Sequence, residues 1–299
     1  MGRRRLYALV GFAVVAVAML LVTQRHDIYR QMLLARVADR APGVALTEDA
    51  AIGLFDTVTE FAAIRPDLNE VGAIEGLEPP GAVIDDSPSG TLLRGWGYCD
   101  STAMAFVQVA ERRGFRGRLM FLHDETGVSP HTVATLMVDG EWRVFDTLTH
   151  RYVRDDVGAL ATLDDIASGR AAVTGERFDP AWYGRATVFY ETPEPAGIWQ
   201  WVKSAPTSML SAVGRSPLGD VIAEVYMRAE PPTFITVDGR VWEDWSDPGD
   251  RAFWEARNEH LFTGDHARAA ELYGRAIALG SDRAYEAHFY LQRLTEIAG

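Results

Sequence analysis

Cys99 is the only cysteine in the 299 residues. Further along come Pro130-His131-Thr132 and then Trp142-Arg143-Val144-Phe145-Asp146. A thiol, an imidazole and a carboxylate supply a nucleophile, the base that takes its proton, and the group that orients the base. A single cysteine is most often a small buried hydrophobe, but the surroundings of this one point elsewhere. Residues 99 to 113 place Ala103, Phe106, Val107 and Ala110 at helical spacing, with Gly114 as a stop and Gly95 and Gly97 breaking what precedes. Cys99 therefore falls at a helix N-terminus, where the dipole and the backbone N–H groups favour a thiolate. Residues 117 to 123 read as a strand. His131 opens a second strand through Val138, Asp139-Gly140 is a hairpin turn, and Trp142 to Asp146 return. The hairpin brings His131 and Asp146 near one end. His123 and His150 are alternative bases; the first precedes the loop, the second lies past Asp146, and neither suits the hairpin as well. Asp100 reads as a first-turn partner of the helix dipole.

These boxes resemble those of the transglutaminase-like superfamily, a circularly permuted relative of the papain fold. Gly97-Tyr98-Cys99-Asp100 matches its cysteine box, and Arg112 to Arg118 its helix-end and strand-start pattern. Pro130-His131-Thr132-Val133 matches the histidine box, and Gly140 to Asp146 the aspartate box. The match covers roughly residues 90 to 160. It implies an α+β domain, helices on an antiparallel sheet, with Cys99, His131 and Asp146 as a catalytic triad acting on amide bonds through an acyl-enzyme. Hydrolysis is favoured over cross-linking, since bacterial members are often peptidases or amidases. The oxyanion would meet the Cys99 backbone N–H and a donor from the preceding loop, with Trp96 and Tyr98 as candidates. Two rival functions stand beside this one. The domain could be a catalytically silent scaffold in an envelope or polysaccharide assembly. It could also be an acyltransferase using a thioester donor, which would need a cofactor pocket; no glycine-rich phosphate loop or basic cluster marks one, so no cofactor is expected.

The rest of the chain must position and place this centre. A hydrophobic share of 47% and a charged share of 24% are those of a folded protein. The net charge of −13 argues against a nucleic-acid partner. Arg3-Arg4-Arg5 precede the uncharged run Leu6–Val22, extendable through Thr23 and Gln24, which is at the lower bound for a membrane span. Residues 1–24 are thus expected to form a cytoplasmic tip and an uncleaved signal anchor, which puts the bulk of the chain in the periplasm or exterior. Residues 25–46 are expected as a helical stalk and 47–195 as the catalytic domain, with Thr47 starting a helix and 78 to 91 forming a loop beside the substrate cleft. Arg151 to Val153 read as a strand, Thr162 as a helix cap, and Trp182, Tyr183, Phe189 and Tyr190 as packing. Residues 196–249 hold an amphipathic stretch and a second hairpin around Asp238-Gly239. Residues 250–299 are helical, and Gly264 to Ala276 resemble a tetratricopeptide repeat junction, which must pack on the catalytic domain or take a protein partner. His260, His266 and His288 show no metal spacing, and one cysteine excludes a thiolate-rich zinc site. A peptide, protein or cell-envelope substrate is expected.

Overall fold

A computed structural model of the chain describes residues 25–43, 45–62, 87–95, 97–172, 179–192, 247–281 and 283–298, with the isolated positions 11 and 217. The anchor run, the oxyanion candidate Trp96, the amphipathic stretch and the second hairpin lie outside the described residues. Among the described residues no helix is long and apolar enough to cross a membrane.

The architecture is α+β. Four helices come first: α1 (Arg25–Arg40), α2 (Glu48–Glu60), α3 (Pro88–Arg94) and α4 (Cys99–Arg112). The strands are β1 (Gly117–Leu122), β2 (His131–Val138), β3 (Glu141–Asp146), β4 (Arg151–Tyr152) and β5 (Thr187–Glu191), with the short helices α5 (Leu163–Ala167) and α6 (Pro180–Tyr183) before β5. They form an antiparallel sheet in the order β4-β3-β2-β1-β5. The chain closes with α7 (Pro248–Asn258), a π-helical turn (Glu259–Thr263), α8 (His266–Ala278) and α9 (Ala284–Ala298).

Helix α4 shows how local chemistry sets these boundaries. Its buried side carries Ala103, Phe106, Val107 and Ala110, the expected stripe. It ends in a Schellman motif: the Phe115 N–H bonds the Ala110 carbonyl, the Gly114 N–H bonds that of Glu111, and Gly114 takes φ 90°. The β2–β3 hairpin turns on Asp139 and Gly140 at φ 50° and 87°, the paired positive values of a two-residue type I′ loop. Between helices and sheet sits an aromatic cluster. Phe55 of α2 meets Phe106 of α4 at 5.5 Å edge-on and Phe145 of β3 at 5.4 Å. The opposite face of the sheet is covered by α5 and α6 through Ile166 and Tyr183 over Met120, Leu122, Val133 and Val144. The Thr162 cap closes a full capping box with Asp165.

Two expectations change here, and one open alternative is decided. Residues 25–40 are helical but form no free stalk: Tyr29, Met32, Leu33, Leu34, Val37 and Ala38 are buried in the main core. The Arg113 guanidinium bonds the Ala38 and Ala41 carbonyls and so caps the end of α1. The apolar spacing of α1 matched a packed helix as well as a stalk, and only a partner surface decides between them. The second change is within 78 to 91. From Pro88 the chain is helix α3, capped by Ser87 and started by proline at its first turn. The structure decides an alternative that the sequence left open: α7 to α9 pack on the domain expected to be catalytic. Trp254, Phe253, Leu272, Tyr273 and Tyr290 belong to the same buried cluster as Phe55 and Phe106, so the apolar face that would have needed a partner is covered by the chain's own helices.

Candidate active site

Cys99 is the first residue of α4, half-buried and unpaired by any disulfide. Tyr98 precedes it as N-cap in an extended conformation with no capping side-chain bond. The first turn is instead tied back by side chains. Ser101 Oγ and Thr102 Oγ1 both donate to the Tyr98 carbonyl, at 3.2 and 2.9 Å. Asp100 is exposed, and its carboxylate accepts the Ser101 N–H at 2.8 Å, as a first-turn acid should.

The hairpin register delivers the other two groups. Ala134 pairs with Phe145; one step further Asp146 stands opposite Val133. His131, two residues before Val133, is thus the diagonal neighbour of Asp146 on one face of the sheet. The two side chains meet: His131 Nε2 and Asp146 Oδ2 are 2.9 Å apart, with both residues buried. The second carboxylate oxygen accepts the Thr149 N–H at 3.2 Å, which fixes the rotamer of Asp146. Cys99 lies close enough to the His131 ring to act on its charge. Burial pulls the His131 imidazolium down, but the hydrogen bond with Asp146, and then Cys99 and the charges of both, outweigh it and raise the ring to about 9. Near neutral pH the ring is therefore protonated between two acidic groups. The structure thus brings the three expected residues together.

A buried contact between Thr102 Oγ1 of α4 and Thr147 Oγ1, at 3.0 Å, joins the cysteine helix to the residue after Asp146. Tyr183 lies close enough for the Asp146 charge to act on its phenol, which burial first and that charge second push well above its ordinary value. Neither threonine nor Tyr183 was marked in the sequence as part of the site; a contact made across 45 residues, like that of Thr102 with Thr147, carries no local signal. The alternative base His123 is engaged elsewhere, with Gly127 O at 3.1 Å and Thr187 Oγ1 at 2.8 Å. His150 sits in the turn between β3 and β4 at φ 52°.

The C-terminal helices reach the same region from behind. Arg257 is fully buried. Its Nε donates to Leu93 O at 3.2 Å and its Nη2 to Phe61 O at 2.8 Å and to Leu92 O. These carbonyls lie at the ends of α2 and α3, where a cation is favoured. The guanidinium lies over the Tyr290 ring at 4.0 Å, and Tyr290 stacks on Tyr273 at 5.5 Å.

One polar cluster among the described residues has metal-ligating chemistry. Ligand atoms of Glu60, His260 and His266 lie within 4.8 Å of one another, a proximity that the sequence spacing of these histidines did not reveal. His288, on α9, is exposed and outside it. Burial first, and then the cations Arg257 and Arg40, pull His260 down to about 4 against the opposing pull of Glu60. Its ring spans Tyr273 Oη at 3.2 Å and Glu60 at 3.3 Å. Two guanidiniums beside that ring oppose a dication, and the arrangement reads as a polar lock between α2 and the C-terminal helices.

Among known proteins, no family model, no curated protein and no solved structure matches the chain.

Proposed function

We propose that the chain is a thiol enzyme of the transglutaminase-like class that acts on amide bonds. The observation that carries this reading is the buried His131–Asp146 pair at 2.9 Å beside Cys99 at the N-terminus of α4, near enough for Cys99 to act on the His131 ring. The α+β framework and the order of the three boxes support it. The reaction begins with the Cys99 sulfur as thiolate and its proton on His131. Sulfur attacks the amide carbonyl carbon, and the carbonyl oxygen becomes an oxyanion against the Cys99 N–H, which has no intrahelical acceptor because it is in the first turn. His131 gives its proton to the departing amine as the C–N bond breaks, leaving an S-acyl enzyme. Water then attacks with His131 taking its proton, the C–S bond breaks, and the acid leaves. Asp146 holds the ring beside sulfur throughout.

The substrate class is a peptide, protein or cell-envelope amide. Leu6–Val22 is the anchor, Arg3 to Arg5 keep the N-terminus cytoplasmic, and the domain faces the periplasm or the exterior. The test is alkylation of Cys99 in the full chain, in detergent, across pH, with His131→Ala beside it. Wild type should react well below the ordinary thiol value of about 8.5 and the variant should lose at least about tenfold in rate at low pH. A profile centred on the ordinary value, unmoved by His131→Ala, would sink the enzyme reading and leave the scaffold. With an activated thiol in hand, peptide and amide panels read by mass spectrometry for the acyl-enzyme then separate hydrolysis from cross-linking.

A further inference from the structure

We propose that Tyr290, held by Arg257, is a positioning residue for the nucleophile: the C-terminal helices fix the turn from which Cys99 is launched. The proposal rests on Cys99 being the nucleophile, and adds to it a dependence on residues almost two hundred positions away.

Gly95 lies four residues ahead of Cys99. It is held from both sides. Its N–H donates to Thr91 O at 2.9 Å, closing α3, and its carbonyl accepts from Tyr290 Oη at 2.6 Å. Tyr290 Oη is also 2.9 Å from Phe61 O, but a phenol has one proton to give. Phe61 O already receives Arg257 Nη2–H at 2.8 Å. The shorter contact assigns the Tyr290 proton to Gly95 O. Arg257 thus does two things. It satisfies the ends of α2 and α3, and by lying over the Tyr290 ring it fixes where the phenol points.

The fit at Gly95 is close. It takes φ 85° as the left-handed cap of α3, and a Cβ there would come within 2.2 Å of Tyr290 Oη. Gly97 is equally confined, since a Cβ on it would meet Ser101 Oγ at 2.5 Å and Thr91 Cγ2 at 2.9 Å. The strand side of the site holds His131 through its own hairpin. The cysteine side has α4 behind it, but its starting point is set by this turn. A shift of α4's first turn changes the sulfur-to-imidazole distance directly, and such alignments lose activity steeply with displacement.

Tyr290→Phe removes one hydroxyl and keeps the ring, its stacking on Tyr273 and its contact with Arg257. Ser281→Ala is the matched control. It deletes a buried hydroxyl bonded to Asp250 at 2.6 Å in the same helical layer, away from the turn. Two readouts are taken on the full chain in detergent. In hydrogen–deuterium exchange, Tyr290→Phe should speed exchange of the 97–102 amides about tenfold, while Ser281→Ala leaves them unchanged. In alkylation, Tyr290→Phe should lower the Cys99 rate at low pH about tenfold and move its profile toward that of His131→Ala; Ser281→Ala should not. Unchanged exchange at 97–102 in Tyr290→Phe overturns the proposal whatever the thiol does. Faster exchange with an unchanged alkylation profile also overturns it, because the turn would then be braced without bearing on sulfur. A profile insensitive to His131→Ala defeats the enzyme reading and is recognisable apart from either result.

Discussion

Two polar constructions hold this molecule's candidate site, and they are built in opposite ways. His131 and Asp146 are 15 residues apart on one hairpin, and a two-residue turn with strand pairing suffices to bring them together. Arg257 and Tyr290 bind carbonyls 164 to 196 residues away, and only tertiary packing of three C-terminal helices makes those contacts. The first construction sets chemistry: its groups titrate, face the thiol and decide where a proton rests. The second sets geometry: a guanidinium and a phenol hydroxyl satisfy helix ends. A site with a local chemical half and a remote structural half should fail in two distinguishable ways.

The largest effect is expected on the remote side. Arg257→Met deletes the donor for the Phe61, Leu92 and Leu93 carbonyls inside the core, and should cost about 3–5 kcal/mol in denaturant unfolding. Because one hydrophobic cluster spans α1 to α9, circular dichroism and tryptophan fluorescence should report a single coincident transition in wild type and variant alike. Two separated transitions would make the C-terminal helices an independent unit and dissolve the comparison.

The local side is sharpened by pH. His131 rises from its ordinary 6.5 to about 9 on folding, so the folded state holds a proton that the unfolded chain releases. That stability is complete below about 6.5 and is lost as pH rises through about 9. Wild type should therefore weaken by up to a few kcal/mol over that window. Asp146→Asn, which removes the largest favourable influence on the ring, should flatten most of that slope. Unfolding midpoints at a series of pH values measure this, and an unchanged slope in Asp146→Asn would mean that the carboxylate does not hold the proton.

How much of this was legible follows the same division. The hairpin, the helix start at Cys99 and the placing of His131 and Asp146 near one end of the hairpin were read from alternation, a turn dipeptide and glycine breaks, all of which act within about fifteen residues, and their pairing as a triad came from the family resemblance. The role of α1 was misread because an amphipathic stripe specifies a covered face without naming the cover. Tyr290 and Arg257 were invisible for a related reason. A tyrosine on a helical stripe reads as core, and nothing local says that its hydroxyl ends on Gly95. The Glu60–His260–His266 cluster was missed likewise, since its members lie on three separate elements, α2, the π-helical turn and α8.

Between the two halves stands the Thr102–Thr147 contact, which links α4 to the end of β3. Thr147→Val should cost about 1–2 kcal/mol. Thr102 keeps the Tyr98 carbonyl at 2.9 Å as an acceptor for its own proton, so its desolvation stays compensated. Cys99 alkylation at low pH should slow by no more than a few-fold. A loss as large as that of His131→Ala would show that this hydroxyl pair, and not the Gly95 turn, sets the sulfur's position.

The smallest effect is expected at the turn that makes the local half readable. Gly140 has φ 87° with nothing within 4 Å of where a Cβ would lie, so Gly140→Ala meets backbone strain but no clash. The cost should be about 1 kcal/mol. Register should survive, because a slip of one residue would turn Asp146 and Val144 to the other face and expose the apolar set that now packs on Ile166 and Tyr183. Burial on both faces of β2 thus outweighs the turn in fixing the pairing. Alkylation of Cys99 should accordingly keep its wild-type pH profile while thermal unfolding moves down a few degrees. If the profile collapsed instead, the turn alone would be setting the register, and the His131–Asp146 pair would be more fragile than the remote brace behind Cys99.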